Sequence, residues 1–425
     1  MANHVPELAI KGGPRAAEAL RLPEWPTVTE EDKQAVMDVL GSRRWCRLCP
    51  ESKVEEFEKA FAQFHEAKYA VAVTNGTAAL ELALLACGIR PGDEVLVPAL
   101  TFIASASAIV TGPKAVPVFV DSDPQTLAIS PDAIEAAITP RTRGIVAVHY
   151  GGYPADLDRI AAIAKKHNLV LIEDCAHAQG TEWRGRKVGA IGTMGGFSFQ
   201  ESKAFTAGEG GIVITNDEQI AEHARLLHNI GRVVGKPGYD HQVLASNYRL
   251  SELHGALLLS QLRRFQREQV RARHDTGEYL AQELKKLGGV EPLKRDARIT
   301  QRGYYFFIFR YDSSQFANVH RDTFVQALRA EGVPCGAGYG VPLYKLAAFR
   351  RERLEPLLPK CSLPWPDYEH LYLPVAERVC AEEQVTLPHQ ILLTGREGVD
   401  AIVRAIAKIK ARAAELHTLQ TSAAG

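Results

Sequence analysis

Four side chains spread along the middle of the chain could together do imine chemistry. Lys203 follows the apolar, strand-like run Gly196-Phe197-Ser198-Phe199 and precedes Ala204 to Gly211, a stretch too glycine-rich to continue a regular element. Among Phe197, Phe199, Ala204 and Phe205 its charge would bear a desolvation penalty. Such burial lowers a lysine pKa and frees the amine as a nucleophile suited to a Schiff base. Asp174 closes another apolar run, Leu169-Val170-Leu171-Ile172-Glu173, where a carboxylate needs a cation or hydrogen-bond donors, and a protonated pyridine nitrogen would serve. Thr74-Asn75-Gly76-Thr77 lies between a strand pattern and a helix pattern. Glycine admits an anion to the backbone, Thr77 can donate to it, and a helix N-terminus favours negative charge. Phe102, after Pro98-Ala99-Leu100-Thr101, offers a ring face to a planar ligand. Each feature alone has an ordinary reading as a turn and N-cap, a core aromatic, a helix-capping acid or a solvated lysine. Together they supply an anion cup, a ring clamp, a proton holder and an imine-forming amine, the set that pyridoxal 5′-phosphate requires.

The pattern around these residues places them at strand ends. Short β-rich runs at 69–73, 95–97, 116–120, 145–149, 169–173, 196–199 and 212–215 alternate with helical patterns at 77–86, 102–110, 131–137, 155–166 and 217–228. Strands apolar on both faces between helices predict a mostly parallel, seven-stranded sheet covered on both sides, with ligands at the carboxyl ends. Residues 1–25 hold too many prolines and glycines for an element and read as an arm. A large domain over 26–265 and a smaller α+β C-terminal domain over 266–425 are expected. The link is a long helix opening near Leu250, and the end is a basic amphipathic helix over 399–416, expected to be a solvated cover.

Fifty basic and fifty acidic residues cancel, so nothing points to nucleic acid or an anionic membrane, and a 46% hydrophobic composition supports a sizeable core. Apolar runs stop short of the roughly 18 to 20 residues that span a bilayer. Cysteines 46, 49, 87, 175, 335, 361 and 380 are scattered and odd in number, which reads as reduced thiols in a cytoplasmic protein. Cys46-Arg47-Leu48-Cys49 has half a zinc-site spacing without a second half, so no metal is expected. An early Gly-x-Gly-x-x-Gly, as a nicotinamide enzyme would carry, is missing.

The motifs 74–80, 93–104, 148–158, 173–180, 196–211 and Ser246-Asn247-Tyr248-Arg249-Leu250-Ser251-Glu252 resemble those of the DegT/DnrJ/EryC1/StrS sugar aminotransferases, of the pyridoxal-phosphate fold type I. The resemblance covers nearly the whole chain. It implies Lys203 as the imine-forming lysine, Asp174 as the partner of the ring nitrogen, and Phe102 as the stacking residue. It further implies His177 beside the ring and Gly76, Thr77 and Ser198 as phosphate ligands. Asn247 would reach the phosphate from the partner subunit of a homodimer, beside Arg249. Gln200, where many members have His, and Pro388-His389-Gln390-Ile391-Leu392-Leu393 are similar to members that aminate keto-cyclitols and to aminohydroxybenzoate synthases. The implied reaction is a ping-pong transfer from L-glutamine or L-glutamate to a keto-sugar or keto-cyclitol. A dehydratase or cyclase of the aminohydroxybenzoate kind and a non-catalytic cofactor-binding regulator are the alternatives. Trp45, Arg47, Tyr153, Arg249, Tyr339, Tyr344 and His389 are the candidate substrate contacts.

Overall fold

The structure, a computed structural model, describes residues 5–233, 236, 239–360 and 364–417. Strands β1 (Tyr69–Val73), β2 (Glu94–Pro98), β3 (Val116–Val120), β4 (Thr142–Val148) and β5 (Val170–Asp174) arise from the expected apolar runs. The short hairpin β6 (Glu182–Trp183) and β7 (Arg186–Lys187) follows, then β8 (Met194–Ser198) and β9 (Gly211–Thr215). Seven of these form one sheet in the order β1-β9-β8-β5-β4-β2-β3. Only β9 runs against its neighbours, pairing antiparallel with β1 and β8, while the β5–β8, β4–β5, β2–β4 and β2–β3 pairs are parallel. Every residue of β2, β8 and β9 is buried, as a sheet covered on both faces demands.

One face packs Val73, Leu80, Val97 and Ile109 into a core, and the other packs Phe57, Phe61, Phe197, Phe199 and Phe205. The helices that follow β1 and β9 carry their own start signals. Asn75 caps Gly76–Ala86 by accepting from the Ala78 amide at 2.8 Å, and Asp217 caps Glu218–His228 through Ile220 at 3.0 Å.

The long helix runs Glu252–Arg264, loosens into a π turn at Phe265–Gln269 and continues as Val270–Leu287. Beyond it, β10 (Val290–Pro292), β12 (Phe306–Tyr311) and β13 (Gln384–Pro388) form an antiparallel sheet, while β11 (Ile299–Gln301) joins the β6/β7 hairpin. A third core, with Phe307, Phe309, Phe324, Ile402 and Ile406, lies under this sheet and the helix Gly395–Ala411. That helix is not simply a solvated cover. Lys408 is buried and ion-paired with Glu331 at 2.9 Å, and Glu331 also accepts from the backbone amides of Ala9 and Ala16. The N-terminal segment is thereby tied to the C-terminal core of its own chain.

Among the described residues no helix is long and apolar enough to cross a membrane. Cys46, Cys49, Cys87, Cys175, Cys335 and Cys380 are free thiols, and Cys361 lies outside the described residues.

Candidate active site

The carboxyl ends of β5 and β8, the start of the helix Gly76–Ala86 and the entry to β12 converge on a cavity of about 880 Å³. Lys203 lines it, 9% exposed, on the loop after β8. Burial lowers its pKa from the ordinary lysine range to about 8, and the negative charge of Asp174 opposes that shift. The cause is not the phenylalanines. Phe197 and Phe199 share one face of the strand, turned into the core against Phe57 and Phe61, because strand side chains alternate and Ser198 takes the cavity side. The ring that meets the amine is Tyr305, whose centroid lies 4.1 Å from Nζ.

Asp174 is 5% exposed and holds two donors, the Ser105 hydroxyl on Oδ2 at 2.7 Å and the Ala176 amide on Oδ1 at 3.1 Å. Ser105 in turn lies 2.9 Å from the Thr101 hydroxyl. Since Ser105 gives its single proton to Asp174, the Thr101 hydroxyl must donate to Ser105, and the relay has a fixed direction. His177 is buried, and its Nδ1 accepts from the Gly151 amide at 3.3 Å, which leaves the ring proton on Nε2. Burial, helped by Lys203, holds its pKa far below the ordinary histidine range.

An anion would find its cradle at the helix start. The Asn75 cap uses the Ala78 amide and the Asn75 carbonyl takes that of Ala79, leaving the Gly76 and Thr77 amides outside the helix's own bonds. Gly76 is needed for closeness. A Cβ there would lie 2.6 Å from the Ser198 Cβ, so any larger residue would push into the space that the Ser198 hydroxyl borders. The donor set of two amides and two hydroxyls suits a phosphate, the buried acid suits a protonated ring nitrogen, and the low-pKa amine suits an aldehyde. These residues fit pyridoxal phosphate.

The comparisons with known proteins agree. Residues 26–406 match the DegT/DnrJ/EryC1/StrS aminotransferase family. The chain belongs to that family. It is 40% identical to the L-glutamine:2-deoxy-scyllo-inosose aminotransferase of Streptomyces fradiae, over 97% of this chain and 100% of that one. Identity to the L-glutamine:scyllo-inosose aminotransferase of Streptomyces griseus is 38%, over 95% and 97%. The crystal structure of 3-amino-5-hydroxybenzoic acid synthase superposes with a TM-score of 0.82 at 34% identity, covering 92% of this chain and 99% of that one. A DegT/DnrJ/EryC1/StrS aminotransferase is an enzyme of the pyridoxal-phosphate-dependent kind, and its fold is type I, as the alternating pattern and motifs imply.

Within this family member, Gly76, Thr77, Phe102, Asp174, His177, Ser198, Lys203 and Asn247 all line the one cavity. Phe102 is half exposed, 6.1 Å from the Tyr339 ring, and Asn247 stands in the cavity of its own chain. Of the candidate substrate contacts, only Tyr339 lines it. Tyr153 instead donates to the Lys294 carbonyl at 2.8 Å and borders a separate cavity of about 900 Å³. Tyr344 is buried against Phe119 and donates to Glu377, and His389 is buried 3.2 Å from the Arg273 guanidinium. Arg47 is consumed by a buried pair with Glu58 at 2.7 Å, Trp45 is exposed and donates to the Leu40 carbonyl, and Arg249 donates to Asn229. Sequence reading missed Ser105, Thr101, Tyr305 and Ser202. For the first two a signal existed: two hydroxyls four apart follow closely on β2, whose carboxyl end lies at the same edge of the parallel sheet as that of β5, where Asp174 stands.

One buried trio resembles a metal set, since ligand atoms of His149, Glu173 and Cys175 lie within 4.8 Å of one another. Two of the three are already engaged. Glu173 accepts from His149 Nε2 and from the amides of Gly189, Ile191 and Gly192, and His149 Nδ1 accepts from Ala155.

Proposed function

We propose that this aminotransferase uses pyridoxal 5′-phosphate to move the amino group of L-glutamine to a keto-cyclitol of the scyllo-inosose type. The observation that carries the proposal is the meeting of Lys203, Asp174 and the Gly76–Thr77 cradle in one cavity of a chain that is 38–40% identical, over nearly its whole length, to glutamine:inosose aminotransferases. When bound, the cofactor supplies an aldehyde carbon for amines and a ring that draws electrons from the carbon beside them.

The chain's own residues do the rest. Gly76, Thr77 and Ser198 would hold the phosphate, and Phe102 would offer its ring to the planar part of the cofactor. Asp174, kept an acceptor by Ser105 and Ala176, holds the proton on the ring nitrogen. His177, with its proton on Nε2, would be a donor for the ring hydroxyl. At pH 7.5 a lysine of pKa about 8 is about one quarter neutral, against roughly a thousandth for an ordinary lysine. Lys203 Nζ would therefore be available as a nucleophile, and as a base it would take the proton from the donor's α-carbon and pass it to the cofactor's C4′ carbon.

Apart from Lys203 and His177, the described residues lining the cavity are neutral or acidic, with Thr101, Ser202, Tyr305 and Tyr339 offering hydroxyls. Such a lining suits a polyol ketone better than a dicarboxylate, which would draw an arginine. A homodimer with shared sites is part of the proposal. Val28, Met37, Leu40, Trp45 and Leu48 are large, exposed and apolar within one segment, which supports a covered face. With them Asn247 would serve the partner's phosphate. The free thiols accord with a cytoplasmic setting.

The test loads the protein with cofactor and glutamine, then offers scyllo-inosose, 2-deoxy-scyllo-inosose and a keto nucleotide sugar, with products read by mass spectrometry. Amino-cyclitol formation is expected. Amine appearing only from the nucleotide sugar would overturn the acceptor. Because the benzoate synthase superposes so well, a product lighter by one water than the plain amine would favour a dehydrating reaction instead.

A further inference from the structure

The loop before β12 is built to deliver one ring to the reacting amine. Tyr304 is fully buried with a φ of 47°, the left-handed region that bulky residues avoid. Two glycines make room for it. A Cβ on Gly152 would come within 2.8 Å of the Tyr304 nitrogen, and one on Gly277 within 2.6 Å of its ring. Arg302 lies 4.0 Å from the same ring and donates to its hydroxyl at 3.1 Å. Packing on three sides holds this turn, and a strained turn held so firmly is a sign of use. Its product is the direction of Tyr305, which leaves the small sheet and enters the cavity.

There Tyr305 makes three contacts. Its face meets Lys203 Nζ at 4.1 Å, its ring stacks on His177 at 4.3 Å and 21°, and its hydroxyl pairs with that of Ser202 at 2.8 Å. An ammonium over an aromatic face is attracted by the ring quadrupole. Asp174 acts on the same amine from the sheet side. His177, Glu209 and Tyr339 are the other titratable groups in the cavity around it, while Glu81 and Tyr248 are paired with each other.

We infer that the Tyr305 face is the seat of the Lys203 amine once it is released and has taken up a proton, making Tyr305 a positioning residue of the transfer. The inference rests on the aminotransferase reading of Lys203. Each half-reaction releases this amine, and an unseated lysine would swing into the space that donor and acceptor must use. Seated on Tyr305 it stays beside the site, charged, and ready to give a proton back.

The test compares wild type with Tyr305→Leu, Tyr305→Met and Tyr305→Phe in two assays. In the cofactor-free full chain, the pH dependence of Lys203 acylation, read by peptide mass spectrometry, gives the pKa of the amine. Leu and Met keep the site apolar but remove the ring, and should lower that pKa by about 0.4 to 1.5 units. Phe keeps the face and should leave it unmoved. In the loaded enzyme, Leu and Met should slow the single-turnover reaction with glutamine about threefold to tenfold with little change in glutamine affinity. An unshifted pKa in both Leu and Met, or a Phe variant that shifts as far as they do, would overturn the seat. Should the acylation shift appear while wild type transfers no amino group, the seat stands and the aminotransferase reading of the site falls instead.

Discussion

Removing the Ser105 hydroxyl tests the proton holder without touching the carboxylate. In Ser105→Ala, Asp174 loses its 2.7 Å donor on Oδ2 and keeps only the Ala176 amide on Oδ1. A hydrogen bond to a charged group contributes about 1.5 to 3 kcal/mol, and the site is buried, so water cannot readily replace it. Its loss weakens the hold on the ring proton, and at 1.36 kcal/mol per decade it corresponds to roughly a 10- to 100-fold fall in kcat/KM for glutamine. Thr101→Ala is the matched control. Thr101 only donates to Ser105, so its removal leaves the bond to Asp174 in place and should cost no more than a few-fold. Both variants are measured by stopped-flow loss of the visible absorbance on adding glutamine, with Tm recorded alongside. A Ser105→Ala enzyme within twofold of wild type, or a Thr101→Ala enzyme more damaged than it, would refute the relay.

Three further outcomes follow from the same geometry. Cofactor loading depends on the neutral form of Lys203, so its rate should climb with pH, stand at half its limit near pH 8 and level about one unit above that, and Lys203→Ala should show no lysine-linked visible absorbance at any pH. Gly76→Ala would set a Cβ 2.6 Å from that of Ser198 and should raise the cofactor Kd at least tenfold by equilibrium dialysis. Arg47→Met removes the partner of buried Glu58 and should destabilise by about 3 to 5 kcal/mol at neutral pH, seen as a lower Tm rather than a changed KM. Burial already raises the Glu58 pKa, and such a group stabilises the fold below the ordinary glutamate range and loses that contribution as pH rises through its folded value. Without Arg47 the folded value rises further, so the Tm loss should be larger at pH 8 than at pH 5.

Local rules made much of this protein legible in its sequence. Short, continuously apolar runs between helical stretches announced the sheet, and Lys203, Asp174 and Gly76 could be picked out because each lies in a motif at a strand end whose direction the strand itself sets. Alternation along β8 could also have shown that Phe197 and Phe199 face away from Ser198. What the sequence did not hold was which distant segment closes the cavity. Tyr153, Tyr344 and His389 look like Tyr305 and Tyr339 in composition, yet tertiary packing turns the first three to other partners and the last two into the cavity that Lys203 lines. Ser105 reaches Asp174 across 69 positions, and Tyr305 reaches Lys203 only through a left-handed turn wedged between glycines 152 and 277. Side-chain direction within an element is a local property of the backbone. Contact between elements depends on how whole faces pack, and a contact to Tyr305 is decided only when the small sheet settles against the large one.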